Sequence, residues 1–258
     1  MIQTINNSLI IKCERVIREL ANDVSRSIKS NSEEQFLVYV SRKLKFKNAK
    51  DWIVLCSVMD LLNDTELAKQ NYDQFELSGP TKISSIGEQY LRLYGIVNAI
   101  YLQKSAIASF IELVNLPYKK KIMETLNNLE VMQFRHIVGA HTVDFIENNK
   151  INPHQIQRYP LDGDIISTMD SDNKFKDFEL KKLILEYNAC VEELLVRATE
   201  KFVNSALKNG GEKLKQYLEK IELIKFELAG NTVVYNEIGE VTLKIAINYN
   251  LNNPKKTN

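Results

Sequence analysis

The sequence predicts a mainly α-helical protein that ends in a helix and a small antiparallel β-sheet. Gly and Pro, which interrupt helices, are scarce, with 9 and 5 residues in a chain of 258. Apolar residues recur three or four positions apart along most of the chain, which is typical of helices with one buried face. The C-terminal stretch instead alternates with period two, as strands do.

The helices can be placed from this spacing. Ser32-Glu33-Glu34-Gln35 has the form of a capping box and predicts the start of one helix. A later helix carries Leu126 on its apolar face and reaches Arg135. The other predicted helices cover residues 2–28, 49–72, 86–114 and 180–202, with a short one that ends near residue 223.

Three segments follow from these elements. Residues 1–147 are predicted to form a helical domain, and the polar stretch 148–176 a loop or linker. Residues 177–258 hold the long helix, the short helix and the sheet. In that sheet, the alternation at 224–228 and at 241–249 predicts two or three strands around a turn at Gly230-Asn231.

Composition excludes several classes of protein. With 34 basic and 33 acidic residues the net charge is +1, so nucleic acid could bind only to a local patch. Three widely spaced cysteines do not indicate a disulfide framework, and no apolar stretch approaches the length of a membrane span. We expect a cytoplasmic protein without a membrane partner. No glycine-rich phosphate loop or dinucleotide motif predicts a cofactor.

One short stretch could carry acid–base chemistry. It contains Arg135, His136 and His141, with Gly139 between the arginine and the second histidine. Arginine offers a permanent charge and a planar fork suited to a phosphate, and histidine exchanges protons near neutral pH. The two histidines lie five positions apart, with no Glu between them and no nearby Cys, so a metal site is not predicted.

The spacing poses a geometric problem. Arg135 and His141 are six positions apart and would lie about 120° apart around a straight helix. Gly139 could let the helix end or bend, so that both side chains point into one cleft. The alternative is that the two residues only cap a helix end and form surface ion pairs.

Arg135-x5-His141 resembles the Arg-x(4–6)-His motif of the HEPN superfamily of all-helical domains. The context is also similar, because a long helix precedes the helix that ends in the motif. The resemblance covers residues 86–142 and implies a HEPN-like helical bundle. Many HEPN proteins are metal-independent endoribonucleases in which two motifs face each other across a homodimer. The resemblance thus implies an RNA substrate and a homodimer.

The resemblance also implies roles for the residues. His141 would act as general base or acid on the 2′-hydroxyl or the leaving oxygen, and Arg135 would hold the phosphate. His136 could orient or assist, although the family often has another polar residue there. Some relatives are controlled by modification of a Tyr two positions after the motif histidine, but here Val143 stands there.

Two basic clusters are candidates for RNA contact. One contains Arg42 and Lys43, and the other consists of Lys119, Lys120 and Lys121. A solvated helix end is the alternative for each cluster. For the whole protein, two hypotheses stay open. The first is a toxin or antiphage defence effector, with a possible cognate antitoxin or defence partner. The second is a non-catalytic HEPN scaffold that binds a partner protein or a nucleotide.

Overall fold

The structure, a computed structural model, describes residues 8–81, 85–140, 146–147, 150–158, 161, 163–236 and 241–246. It confirms a mainly helical protein with small antiparallel sheets. The helices are α1 Leu9–Arg26, α2 Glu33–Lys43, α3 Asp51–Phe75, α4 Ile86–Leu113, α5 Lys119–Asn128, α6 Glu130–Arg135, α7 Leu180–Ala206 and α8 Gly211–Leu228. A π-helical turn, His136–Ala140, continues α6.

A capping residue explains where α2 begins, and a change of backbone conformation explains why α5 and α6 are separate helices. The Ser32 side chain accepts a hydrogen bond from the backbone N–H of Gln35, so the predicted cap of α2 is confirmed. The helix predicted to reach Arg135 is divided, because Leu129 adopts an extended conformation with ψ of 136°. Its two parts, α5 and α6, both pack on α4.

The strands form three small antiparallel sheets in the described part of the chain. β1 (Ile146–Glu147) pairs with β2 (Lys150–Ile151). β4 (Ile165–Met169) lies between β3 (Gln155–Ile156) and β5 (Phe175–Glu179), and β5 leads directly into α7. β6 (Thr232–Tyr235) pairs with β7 (Val241–Ile245).

Two sequence predictions differ from this structure. The segment 148–176, predicted as a loop or linker, contains β2, β3, β4 and the start of β5. These strands were missed because they are short and only Ile166, Thr168 and Phe178 on β4 and β5 are buried. The strand predicted at 224–228 is wrong, because these residues complete α8. Their alternation is also compatible with the helical stripe of Tyr217, Ile221 and Ile224.

The core lies between the long helices. α3 packs along α4, while α1 packs against α3, α7 and α8. Aromatic rings join the layers, since Phe202 of α7 meets Phe110 of α4 at 5.7 Å between centroids, and Phe134 of α6 meets Phe178 of β5 at 4.7 Å. Among the described residues, no helix has both the length and the apolarity that crossing a membrane requires.

A buried polar network sits inside this core. Glu66 and Lys69 of α3 form an ion pair, and both side chains are almost fully buried. Gln103 of α4 is fully buried and bonds to both, accepting from Lys69 at 3.3 Å and donating to the Glu66 carboxylate at 2.8 Å. Its amide also donates to Thr65 Oγ1 at 3.0 Å. The Lys69 ammonium lies 5.8 Å from the ring centroid of Tyr187 on α7.

Because a buried charge without its counterion is costly, we expect Glu66→Leu to lower the free energy of unfolding by about 3–5 kcal/mol. Urea denaturation followed by circular dichroism measures this change. Asp172→Ala is the matched control, because it breaks the exposed Lys174–Asp172 pair and should cost less than about 1 kcal/mol. A Glu66→Leu protein as stable as the wild type would contradict the importance of the network.

Candidate phosphate-binding site around Arg135

Arg135 lies at the end of α6 and faces the middle of α4. Its guanidinium carbon is 4.1 Å from the ring centroid of Tyr101, a cation–π contact. Its Nη2 donates a long hydrogen bond of 3.5 Å to Asn98 Oδ1. The side chain is half-buried, and its buried Nε has no hydrogen-bond partner among the described residues. The arginine is thus held by an aromatic ring and a neutral amide.

A second cation shares the same ring. Lys104 Nζ is 4.9 Å from the centroid of Tyr101 and donates to Asn127 Oδ1 at 2.8 Å. Burial lowers the pKa of Lys104, and the positive charge of Arg135 lowers it further. Asn98, Tyr101 and Lys104 follow one another three positions apart on α4, so they share one face of the helix.

The charges of this site are unbalanced. Neither Arg135 nor Lys104 forms an ion pair with a carboxylate in the part of the chain that the structure describes. Their contacts are Tyr101 and two asparagine amides, which carry no net charge. Two neighbouring cations without a counterion favour the binding of an anion beside them. A phosphate is suited to this position, because its oxygens can accept from the guanidinium fork.

The turn that follows Arg135 is unusual. His136–Ala140 form a π-helical turn, in place of the helix end or bend that Gly139 was expected to allow. π turns inside helices are rare and often lie at functional sites. The turn packs on α4 at Gly139, where a Cβ would make an ordinary contact of 3.4 Å with a methyl group of Val97, so this packing does not require glycine. His136 opens the turn and is half-buried, whereas His141 lies outside the described residues.

The predicted basic clusters are not gathered around Arg135. Lys119 is paired with Glu112 at 2.7 Å, while Lys120 and Lys121 are exposed. Glu112 lies 11 positions after Tyr101 on α4, about 16 Å along the helix axis. Arg42 and Lys43 are exposed in the last turn of α2.

Sequence reasoning missed Lys104 and Tyr101. The signal that could have found them is the polar face that Asn98 and Lys104 make on α4, with Tyr101 between them. That face lies about 30 positions before the Arg135 motif, so only the packing of α6 on α4 brings the groups together. In the described residues, no three His, Cys, Asp or Glu side chains cluster closely enough to hold a metal ion.

Comparison with known proteins identifies no relative. No family model matches the chain, and neither a curated protein nor a solved structure matches it.

Removing the charge of Arg135 tests the geometry of the site. We expect Arg135→Gln to raise the pKa of Lys104, because a neighbouring positive charge disfavours the protonated amine. The rise should be partial, since burial is the larger cause of the lowered pKa. The pKa is read by NMR of lysines labelled with ¹³C-methyl groups, a modification that keeps the charge.

Arg197→Gln provides the control for that titration. Arg197 is exposed on α7 and paired with Glu193, so its loss should leave the pKa of Lys104 unchanged. The NMR signal of Lys104 is identified as the one that is missing in the Lys104→Arg variant. A Lys104 pKa that is the same in Arg135→Gln and the wild type would contradict the proximity of the two cations.

Proposed function

We propose that this chain is a metal-independent endoribonuclease of HEPN type that cleaves RNA at a site shared by two copies. The observation that carries the proposal is the pair of cations, Arg135 and Lys104, which both contact Tyr101. Neither forms an ion pair with a carboxylate of the described residues. The Arg135-x5-His141 motif supplies the second support. A toxin or antiphage defence effector is the biological role that the resemblance to HEPN proteins implies.

The chemistry needs only groups of this chain. Arg135 binds the scissile phosphate and stabilises the charge that develops on its oxygens, with Lys104 adding a second positive charge. His141 takes the proton of the 2′-hydroxyl or returns one to the leaving 5′-oxygen. The 2′-oxygen bonds to phosphorus as the bond to the 5′-oxygen breaks. His136, at the start of the π turn, orients the phosphate or His141.

An exposed apolar face supports the shared site. Leu91 and Leu102 of α4 are 72% and 45% exposed. They lie three turns apart, in one stripe with Asn98, which contacts Arg135. A second copy that covers this stripe would bring its own motif next to Arg135. The resemblance to HEPN homodimers favours a second copy as the occupant.

Purified protein should cleave single-stranded RNA in the presence of EDTA. His141→Ala should abolish cleavage, because the proton transfer is lost. Arg135→Gln should lower the rate by about 10²–10³-fold, the usual loss when a charge-stabilising donor is removed. Lys182→Gln is the matched control, because Lys182 is exposed on α7 and should leave the rate unchanged. Products are resolved on a denaturing gel.

Several results would contradict this proposal. Cleavage that persists in His141→Ala would overturn the mechanism. A wild type that sediments only as a monomer while cleaving RNA would overturn the shared site. A wild type that binds RNA but cleaves none of a diverse set would favour the alternative, a non-catalytic HEPN scaffold that binds a partner.

A further inference from the structure

A groove of about 710 Å³ opens where the C-terminal ends of α1, α2 and α7 meet. We call it the basic groove, because five exposed cations line it. They are Lys29, Arg42, Lys43, Lys45 and Lys208. Arg42 and Lys43 belong to a cluster that the sequence marks as a candidate for RNA contact. Lys45 lies two positions after Lys43 in the same stretch, whereas Lys29 and Lys208 come from other parts of the chain and meet them only in the fold.

The positive charge of the basic groove is not compensated. No acidic residue lines the groove, and none of the five cations has an ion pair with a described carboxylate. Each helix C-terminus carries roughly −0.5 charge, so three ends supply about −1.5 and cannot balance five cations. In a chain of net charge +1, this is a strong local excess.

One of the four lysines of the groove has a left-handed backbone conformation. Lys45 has φ of +62°, the left-handed conformation that favours glycine. It sits in a Schellman motif, in which Lys45 N–H donates to Arg42 O at 3.3 Å and Phe46 N–H to Ser41 O at 2.9 Å. Phe46 then stacks on Phe202 of the core. Glycine would fit this turn better, so replacing Lys45 by glycine removes the ammonium group without disfavouring the turn.

The groove also offers an aromatic ring. Tyr39 of α2 lines it and is 43% exposed, so a nucleic-acid base can stack on it. Cations that follow a backbone, together with a ring for the bases, are the features of surfaces that bind single strands. A concave surface with a single aromatic residue is less suited to a flat anionic membrane, which requires an apolar face that can insert.

We infer that the basic groove binds the phosphates of single-stranded RNA and anchors the RNA away from the reacting bond. The groove is remote from Arg135. Tyr187 donates to Ile100 O at 3.3 Å, beside Tyr101, and the groove lies at Ala206, 19 positions further along α7. This separation is about 28 Å along the helix axis. The inference rests on the proposed function only in taking RNA as the ligand.

The test uses the full chain and a fluorescein-labelled 20-mer of uridine with 2′-O-methyl sugars, which cannot be cleaved through the 2′-oxygen. Anisotropy gives the affinity in EDTA from 50 to 200 mM KCl. Log affinity falls linearly with log salt concentration, and each lost phosphate contact should make this slope less steep by about 0.7. We therefore expect Arg42→Gln with Lys208→Gln to weaken binding about 25-fold at 100 mM KCl.

The matched control removes two exposed lysines outside the groove, Lys182→Gln with Lys215→Gln. It has the same net charge as the groove variant and should bind like the wild type. Equal losses in both double variants would overturn the inference, because binding would then follow net charge alone. Binding to phosphatidylserine vesicles without binding to the 20-mer would also overturn it.

Lys45→Gly separates binding from stability. It should weaken RNA binding about 5-fold and raise the melting temperature by about 2 °C, because glycine relieves the left-handed strain. Weaker binding together with a lower melting temperature would indicate a structural role for Lys45 and count against the inference. Unchanged affinity would contradict it directly.

The two proposals fail in different ways. If the wild type binds the 20-mer through the groove but cleaves no RNA, the proposed nuclease is wrong and the groove stands. If the wild type cleaves RNA while the groove variants bind as tightly as the wild type, the groove is wrong and the nuclease stands. Arg135→Gln should lower the cleavage rate, whereas the loss of affinity caused by Arg42→Gln with Lys208→Gln should be equally large in the wild type and in the Arg135→Gln background.

Discussion

The buried contact between Lys69, Glu66 and Gln103 sets how α4 lies on α3, and the candidate site depends on that placement. These side chains are almost fully buried, so their hydrogen bonds must be made largely within the protein. Gln103 satisfies both the ammonium and the carboxylate. A slide or rotation of α4 would remove its amide from both partners, which gives the packing of these two helices a specific register.

The same register positions the Arg135 site. Gln103 and Lys104 are neighbours in the sequence, yet Gln103 points into the polar network and Lys104 towards Tyr101. Rotation of α4 by one residue, about 100°, would carry Lys104 away from Arg135. α6, which carries Arg135, is itself held in place because Phe134 of α6 packs against Phe178 of β5. The site thus joins two helices that the core holds in place.

Local sequence signals identified much of the fold but only part of the site. The cap at Ser32 and the apolar stripe of α4 act within a few positions, so a sequence shows them directly. The short strands β3 and β4 depend on pairing across the sheet, which local periodicity does not encode. Similarly, the sequence singles out Arg135 as a candidate, whereas it does not single out Lys104, because Lys104 meets Arg135 only when α6 packs on α4.

The central claim is that Arg135 and Lys104 hold a phosphate of RNA between them. NMR of ¹³C-methylated Lys104 during titration with a 2′-O-methyl oligonucleotide tests this claim most directly. A phosphate next to Lys104 favours the protonated amine, so bound RNA should shift its signal and raise its lowered pKa towards the ordinary lysine value. A Lys104 signal and pKa that stay unchanged while the protein is saturated with the oligonucleotide would contradict the account.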